Sequence, residues 1–198
     1  MTYLATDDLH AGLDHIRSSP RDDGRVELMV RRPAENEREV VEEARLDLAD
    51  GLIGDTWTVR ISQRTGVGPD PERQLTLMNA RAAALVAGTA EHGGLAGDQV
   101  YIDLDLSYDN IPPGTRLQLG TALIEVSPAP HRGCAKFAAR FGKDALRFVN
   151  SDVGQELNLR GVNAKVVVAG TVRTGDVVHK VSSSAQGQLD VRRVTDTE

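Results

Sequence analysis

Apolar residues in this chain come mostly in short runs with a period of two, which predicts strands far more often than helices. Residues 7–17 are the first exception. Leu9, Leu13 and Ile16 recur there at helical spacing, acids occupy the first turn, and Ser-Ser-Pro ends the pattern. Strands are predicted at 25–31, ended by Pro33, at 44–48 ahead of the turn residues DGLIGD, and at 57–61. Residues 35–43 form a charged, solvated stretch, and RTGVGPDPE is a loop by its glycine and proline content.

Residues 74–78 read as a buried strand, and Asn79 is placed to cap a helix over 80–87. Residues 99–106 alternate as a half-buried strand. Residues 116–119 and 122–126 flank Gly120-Thr121, a two-residue hairpin signal, and Pro128 and Pro130 stop the second of these strands. A helical region is predicted from about 133 to 159, then a β-branched run at 162–169, a turn at Gly170 and a last strand at 176–181. The tail, 182–198, has little apolar content and is expected to be mobile. Strands mostly follow strands, so the βαβ alternation of a doubly wound sheet is absent. The expected fold class is mainly β with a few helices, an α+β β-barrel that is closed or nearly so.

Length and composition then narrow the function. A chain of 198 residues suits one domain and buries a core without staples. A net charge of −6 lacks the basic footprint of a duplex binder, and 4% aromatic residues supply few stacking platforms. No nucleic-acid partner is expected. The longest uncharged runs, 82–90 and 181–189, are too short for a membrane helix. The N-terminus lacks a basic-then-apolar leader, and one cysteine forms no internal disulfide, so a cytoplasmic protein is expected.

The chain contains no P-loop, G-x-S-x-G, H-E-x-x-H or paired-cysteine zinc spacing, and its five histidines are scattered, which argues against a histidine-based metal site. One segment stands out: SPAPHRGCAKF, residues 127–137, carries the single cysteine between a proline-rich turn and a helical pattern. At that place the helix dipole, with His131, Arg132 and Lys136 nearby, favours thiolate over thiol, fit for a nucleophile, a persulfide carrier or a soft-metal ligand. A helix continuing from Cys134 instead aligns it with Ala138, Phe141, Ala145 and Phe148, where it is a small buried hydrophobe. Gly142 interrupts that helix. Lys136, Arg140, Lys143 and Arg147 fall on its opposite face, read first as solvated surface and only second as an anion site. Two loops, GLIGD at 51–55 and GGLAGD at 93–98, read as tight turns with aspartates bonding backbone. Asn79 and Arg81 end a strand at a helix start, where they face a ligand or simply cap the helix.

In order, GLIGD, QLTLMNAR, the stretch from GDQVYIDLDLS through RLQLGTALIEVSPAPHRGCAKFAARFG, and GVNAKVVVAGTVRTGDVV resemble the MOSC domain, found at the C-terminus of molybdenum cofactor sulfurases and in stand-alone bacterial relatives. The resemblance runs from about 44 to 181 and ends on G-x-V-x-x-G-D. It implies a MOSC-like barrel at 44–181, a helix-and-strand extension at 1–43 packed on it, and the tail at 182–198. It implies a characteristic cysteine, Cys134, carrying sulfur as a persulfide in metal-sulfur or molybdenum cofactor chemistry. In molybdenum-containing relatives that cysteine ligates the metal and basic residues hold the pterin phosphate. The candidate catalytic residues are therefore Cys134 and His131, the candidate metal ligand is Cys134, and Asn79, Arg81, Arg132 and Lys136 are candidates for holding molybdenum cofactor. Pyridoxal phosphate, attached to the family, goes with a separate aminotransferase-like domain for which 198 residues leave no room. The expected partners are a sulfur donor or acceptor protein, or an anionic small molecule. Three readings stand: sulfur carrier, anion- or cofactor-binding module, and an enzyme with His131 as base to Cys134.

Overall fold

The computed structural model describes residues 3–62 and 66–181, with the side chains of residues 90 and 91 left aside. Two short helices, α1 (Thr6–Ala11) and α2 (Leu13–Arg17), lead into β1 (Gly24–Arg31). Three short strands follow, β2 (Glu39–Val40), β3 (Glu43–Asp47) and β4 (Gly51–Leu52). Then come β5 (Leu75–Asn79), α3 (Ala80–Ala87), α4 (Ala90–Gly93) and β6 (Val100–Asp103). The hairpin of β7 (Arg116–Leu119) and β8 (Ala122–Val126) precedes α5 (Ala135–Asn150) and α6 (Asp152–Glu156). Strands β9 (Val162–Val168), β10 (Gly170–Arg173) and β11 (Val177–Val181) follow.

Seven strands close into a barrel in the order β11-β7-β8-β9-β5-β6-β1, with β1 pairing back onto β11 through Gly24 and Val178. All neighbours are antiparallel except β5 and β6, which α3 and α4 connect as a crossover. Closure leaves no free edge along the ring. Strands β3, β4 and β10 form a separate small sheet.

Alternation sorts the core into two layers. Leu75 and Leu77 of β5, with Val100 and Ile102 of β6, fill the barrel interior. Met78 and Tyr101, one residue out of phase, face outward and meet α1, α2, α3 and α5 through Leu9, Ile16, Ala82, Phe137 and Phe148. Each such fully buried aliphatic or aromatic side chain contributes about 1.5–3 kcal/mol relative to exposure. The turn before β9 must pass close to β5: a Cβ on Gly161 would lie 2.1 Å from the Leu77 carbonyl oxygen, at φ +98°.

The mainly β barrel with a few helices matches the expectation, while several details depart from it or sharpen it. Strand β1, assigned to an extension packed on the barrel, is one of the seven ring strands, because it supplies the pairing that closes β6 onto β11. The strand expected at 57–61 is a 3-10 turn, Thr56–Val59: Asp55 caps it at Trp57 N, and no neighbouring strand pairs with it. The turn expected at Gly170 is the start of β10, paired with Leu46 of β3. The region 133–159 is two helices, the first kinked at Gly142 (φ 87°), as the glycine suggested. The tail at 182–198 lies outside the described residues.

Candidate functional site

Cys134 is exposed at the junction of the proline-rich turn and α5. Its backbone is extended (φ −124°, ψ 179°), and its carbonyl accepts from Ala138 N at 3.0 Å. Its sulfur makes no capping bond. The buried stripe of α5 is Phe137, Phe141, Ala145, Phe148 and Val149. Cys134 is not on it, which corrects the shared-face alternative: as N-cap it precedes the helical dihedrals, so its Cβ does not follow the helix stripe.

Cys134 lines a cavity of about 640 Å³, the size range of small-molecule sites. Among the described residues, seven cations line it, Arg32, Arg38, Arg60, Arg73, Lys136, Arg140 and Arg160, against one lining carboxylate, Glu35. Four have carboxylate partners: Arg32 with Asp55, Arg160 with Asp98, Lys136 with Glu35 and Arg73 with Asp70. Arg38, Arg60 and Arg140 have no ion-pair partner among the described residues. They donate to neutral oxygens instead, Arg60 to Thr56 Oγ1 at 3.2 Å and Arg140 to the Leu95 carbonyl at 2.8 Å. Burial lowers the pKa of Arg38 and Arg60, and neighbouring guanidiniums lower both further, Arg140 and Arg32 acting on Arg38 and Arg32 on Arg60. Positive charge is in excess here, and an anion relieves it.

Two buried pairs set the floor. Arg32 donates through Nε and Nη2 to both oxygens of the fully buried Asp55, at 2.7 and 2.8 Å, and through Nη1 to the Gly97 carbonyl at 2.9 Å. Gly97 has φ +93°, and the tips of Arg140 and Arg38 pass over it, 3.1 and 3.4 Å from where a Cβ would be. Arg160 Nη1 donates to Asp98 Oδ2 at 2.6 Å, Nη2 to the Ala96 carbonyl at 3.1 Å, and the guanidinium covers the Phe137 ring. His131 places Nδ1 3.5 Å from Asp98 Oδ1. Burial pushes its pKa down to about 3, with Arg160 adding to the depression against the pull of Asp98, so the imidazole is neutral. Asp98 Oδ1, His131 Nδ1 and Arg160 Nε, all buried, have no hydrogen-bond partner among the described residues.

Of the residues named from sequence, Cys134, His131 and Lys136 line this cavity. Arg132 is exposed and outside its lining. Asn79 is a helix cap: Oδ1 accepts from Ala82 N, and Nδ2 donates to Ser19 Oγ and the Leu104 carbonyl. Arg81 pairs with Asp103 and lines a different cavity with His15 and Tyr101. Arg81, Arg132 and Lys136 therefore do not share one pocket: Asp103 holds Arg81 at a different cavity, and Arg132 lies outside the lining that contains Lys136. No hydrogen bond joins His131 to Cys134 among the described residues, and a histidine titrating near 3 is a weak base at neutral pH. Arg32, Arg38, Arg60, Arg73 and Arg160 carry no ligand pattern in the sequence, and Arg140 enters only through the second reading of the basic face of α5. The one available signal was Gly-Asp ending both glycine-rich loops, since Asp55 and Asp98 each hold one of those arginines.

The MOSC domain family model matches residues 55–179. None of the curated proteins matches the chain. Among solved structures, YuaD from Bacillus subtilis superposes with a TM-score of 0.61 at 18% identity, covering 80% of this chain and 97% of its own. YiiM from Escherichia coli gives 0.53 at 22%, covering 80% and 70%, and YiiM from Geobacillus stearothermophilus 0.54 at 14%, covering 80% and 75%. At these identities the structures speak for the shared fold. The family match spans well over half of the sequence and includes β5 through β10, Asp55, Asp98, Arg160 and Cys134, so the chain belongs to the MOSC domain family.

Proposed function

We propose that this protein holds a phosphate-bearing, molybdenum-containing pterin cofactor in the basic cavity, with Cys134 Sγ as its soft donor to the metal. The observation that carries this is the set of three guanidiniums, Arg38, Arg60 and Arg140, that share a cavity with an exposed thiol and have no carboxylate partner among the described residues. The donor set fits the group: arginine forks suit phosphate, and thiolate suits a soft metal. When bound, such a group supplies two-electron redox chemistry. The chain's own part is to neutralise the phosphate through the arginines, to present one sulfur, and to keep Gly97 without a side chain so that cations and ligand approach the backbone closely.

The test is metal and pterin content after exposure to the cofactor, followed by desalting. Wild type retains both in equal amounts. Cys134→Ala loses metal first, and Arg38→Ala with Arg60→Ala loses pterin as well. Equal retention by all variants refutes the reading.

The exposure of Cys134 favours a second reading, persulfide carriage. Here the Cys134 thiolate attacks the terminal sulfur of a donor persulfide, forming the Cys134 S–S bond and releasing the donor thiolate. Mass spectrometry after treatment with a persulfide donor reads the added sulfur, and its absence in wild type dismisses this route.

A further inference from the structure

The inner wall of the cavity has a feature that the anion reading does not use. His131 lines it with a side chain only 13% exposed, and Asp98 behind it is fully buried. A carboxylate only accepts hydrogen bonds, so an imidazole nitrogen facing Asp98 Oδ1 at 3.5 Å must carry the proton; a bare lone pair there would repel it. Arg160 holds the other Asp98 oxygen and fixes the carboxylate in that orientation. Facing that oxygen favours the tautomer with the proton on Nδ1, which leaves Nε2, across the ring, as an acceptor. At 3.5 Å no hydrogen bond joins Nδ1 to Oδ1, and both buried atoms have no partner among the described residues, a pair able to tighten when a ligand takes the other end of the ring. The unpartnered Arg160 Nε beside it is a second sign of an incomplete polar wall.

Building on the reading of the cavity as an anion site, we propose that its ligand carries an N–H or O–H donor at the inner end, received by His131 Nε2, while the arginines hold the anionic end. His131 is then a specificity-determining acceptor, and Asp98 is the positioning residue that sets its tautomer. A ligand with an anion but no inner donor leaves that acceptor buried and unpaired, which weakens binding.

The test compares two probes by calorimetry, hydroxymethylpterin phosphate, which has ring N–H donors, and phenyl phosphate, which has the anion and a flat ring but no such donor. Wild type should prefer the pterin phosphate by about tenfold, the range of one buried hydrogen bond. His131→Leu should shrink that preference to about twofold or less, weakening pterin phosphate and relieving the unpaired-acceptor penalty on phenyl phosphate. A wild type without the preference, or a preference that survives in His131→Leu, overturns the proposal. Arg38→Ala should weaken both probes alike; if it weakens neither, the anion site itself fails, whatever the histidine does. Nitrogen-15 NMR of the wild-type imidazoles keeps the question open to refutation even if His131→Leu does not fold. It should show His131 protonated on Nδ1 with Nε2 bare, and a proton on Nε2 instead would also overturn the proposal.

Discussion

Asp55→Asn removes one charge from the most completely buried ion pair of the cavity and changes almost no volume. Asp55 accepts from Arg32 Nε, Arg32 Nη2, the Arg32 amide at 3.1 Å and the Trp57 amide at 3.0 Å, and its side chain has no exposure. The asparagine keeps one acceptor oxygen but presents donors to a guanidinium that is itself 6% exposed. Breaking one side of such a pair strands a buried charge, which costs about 3–5 kcal/mol. With a urea slope of about 2 kcal/mol/M, the unfolding midpoint should fall by about 2 M at unchanged slope. Circular dichroism in urea reads the midpoint. Arg32→Met should cost a similar amount, and the double variant should cost less than the sum by about 2 kcal/mol, since each residue's penalty arises from stranding the other. A midpoint shift below about 0.5 M for Asp55→Asn, or strict additivity in the double variant, would refute the claim that this pair is mutually dependent.

Cys134→Ala should unfold within about 0.5 kcal/mol of wild type in the same titration, because the thiol is exposed and makes no capping bond; a larger loss would mean the sulfur has a packing role. Gly97→Ala should lose about 1–3 kcal/mol for its left-handed backbone and also weaken phosphate binding, since the new methyl meets Arg140 and Arg38; calorimetric melting and a phosphate titration check the two effects separately. For pH, the folded pKa of His131, about 3, lies below its unfolded value of about 6.5. Between those values the unfolded chain binds the extra proton, so stability should fall as pH falls, by up to about 1.4 kcal/mol per unit. Urea midpoints near pH 7 and near pH 5 should show this slope reduced by about one proton in His131→Gln; an unchanged slope would place the titration elsewhere.

Local features were legible in the sequence because their causes are local. The hairpin over β7 and β8 follows from Gly120-Thr121 between two alternating runs, the Asn79 cap from a side chain bonding an amide three residues on, and the kink of α5 from Gly142. The segment around Cys134 was legible for the same reason, as a cysteine between a rigid turn and a helix. What tertiary structure decided was which distant segments meet. Closure of the barrel by β1 depends on β6 and β11 arriving on either side of it, which no window of sequence contains. The cavity is the same case on a smaller scale. Arg32, Arg60, Arg73, Arg140 and Arg160 come from five stretches of chain, and among nineteen arginines nothing in their neighbours in sequence marks these five, Arg140 on its basic helical face aside. Asn79 and Arg81, next to each other in the pattern and plausible as ligands, went instead to a cap and to Asp103. Charge becomes a binding site only when the fold brings several like charges within screening distance and withholds their counterions, and both conditions are set by packing between segments far apart in sequence.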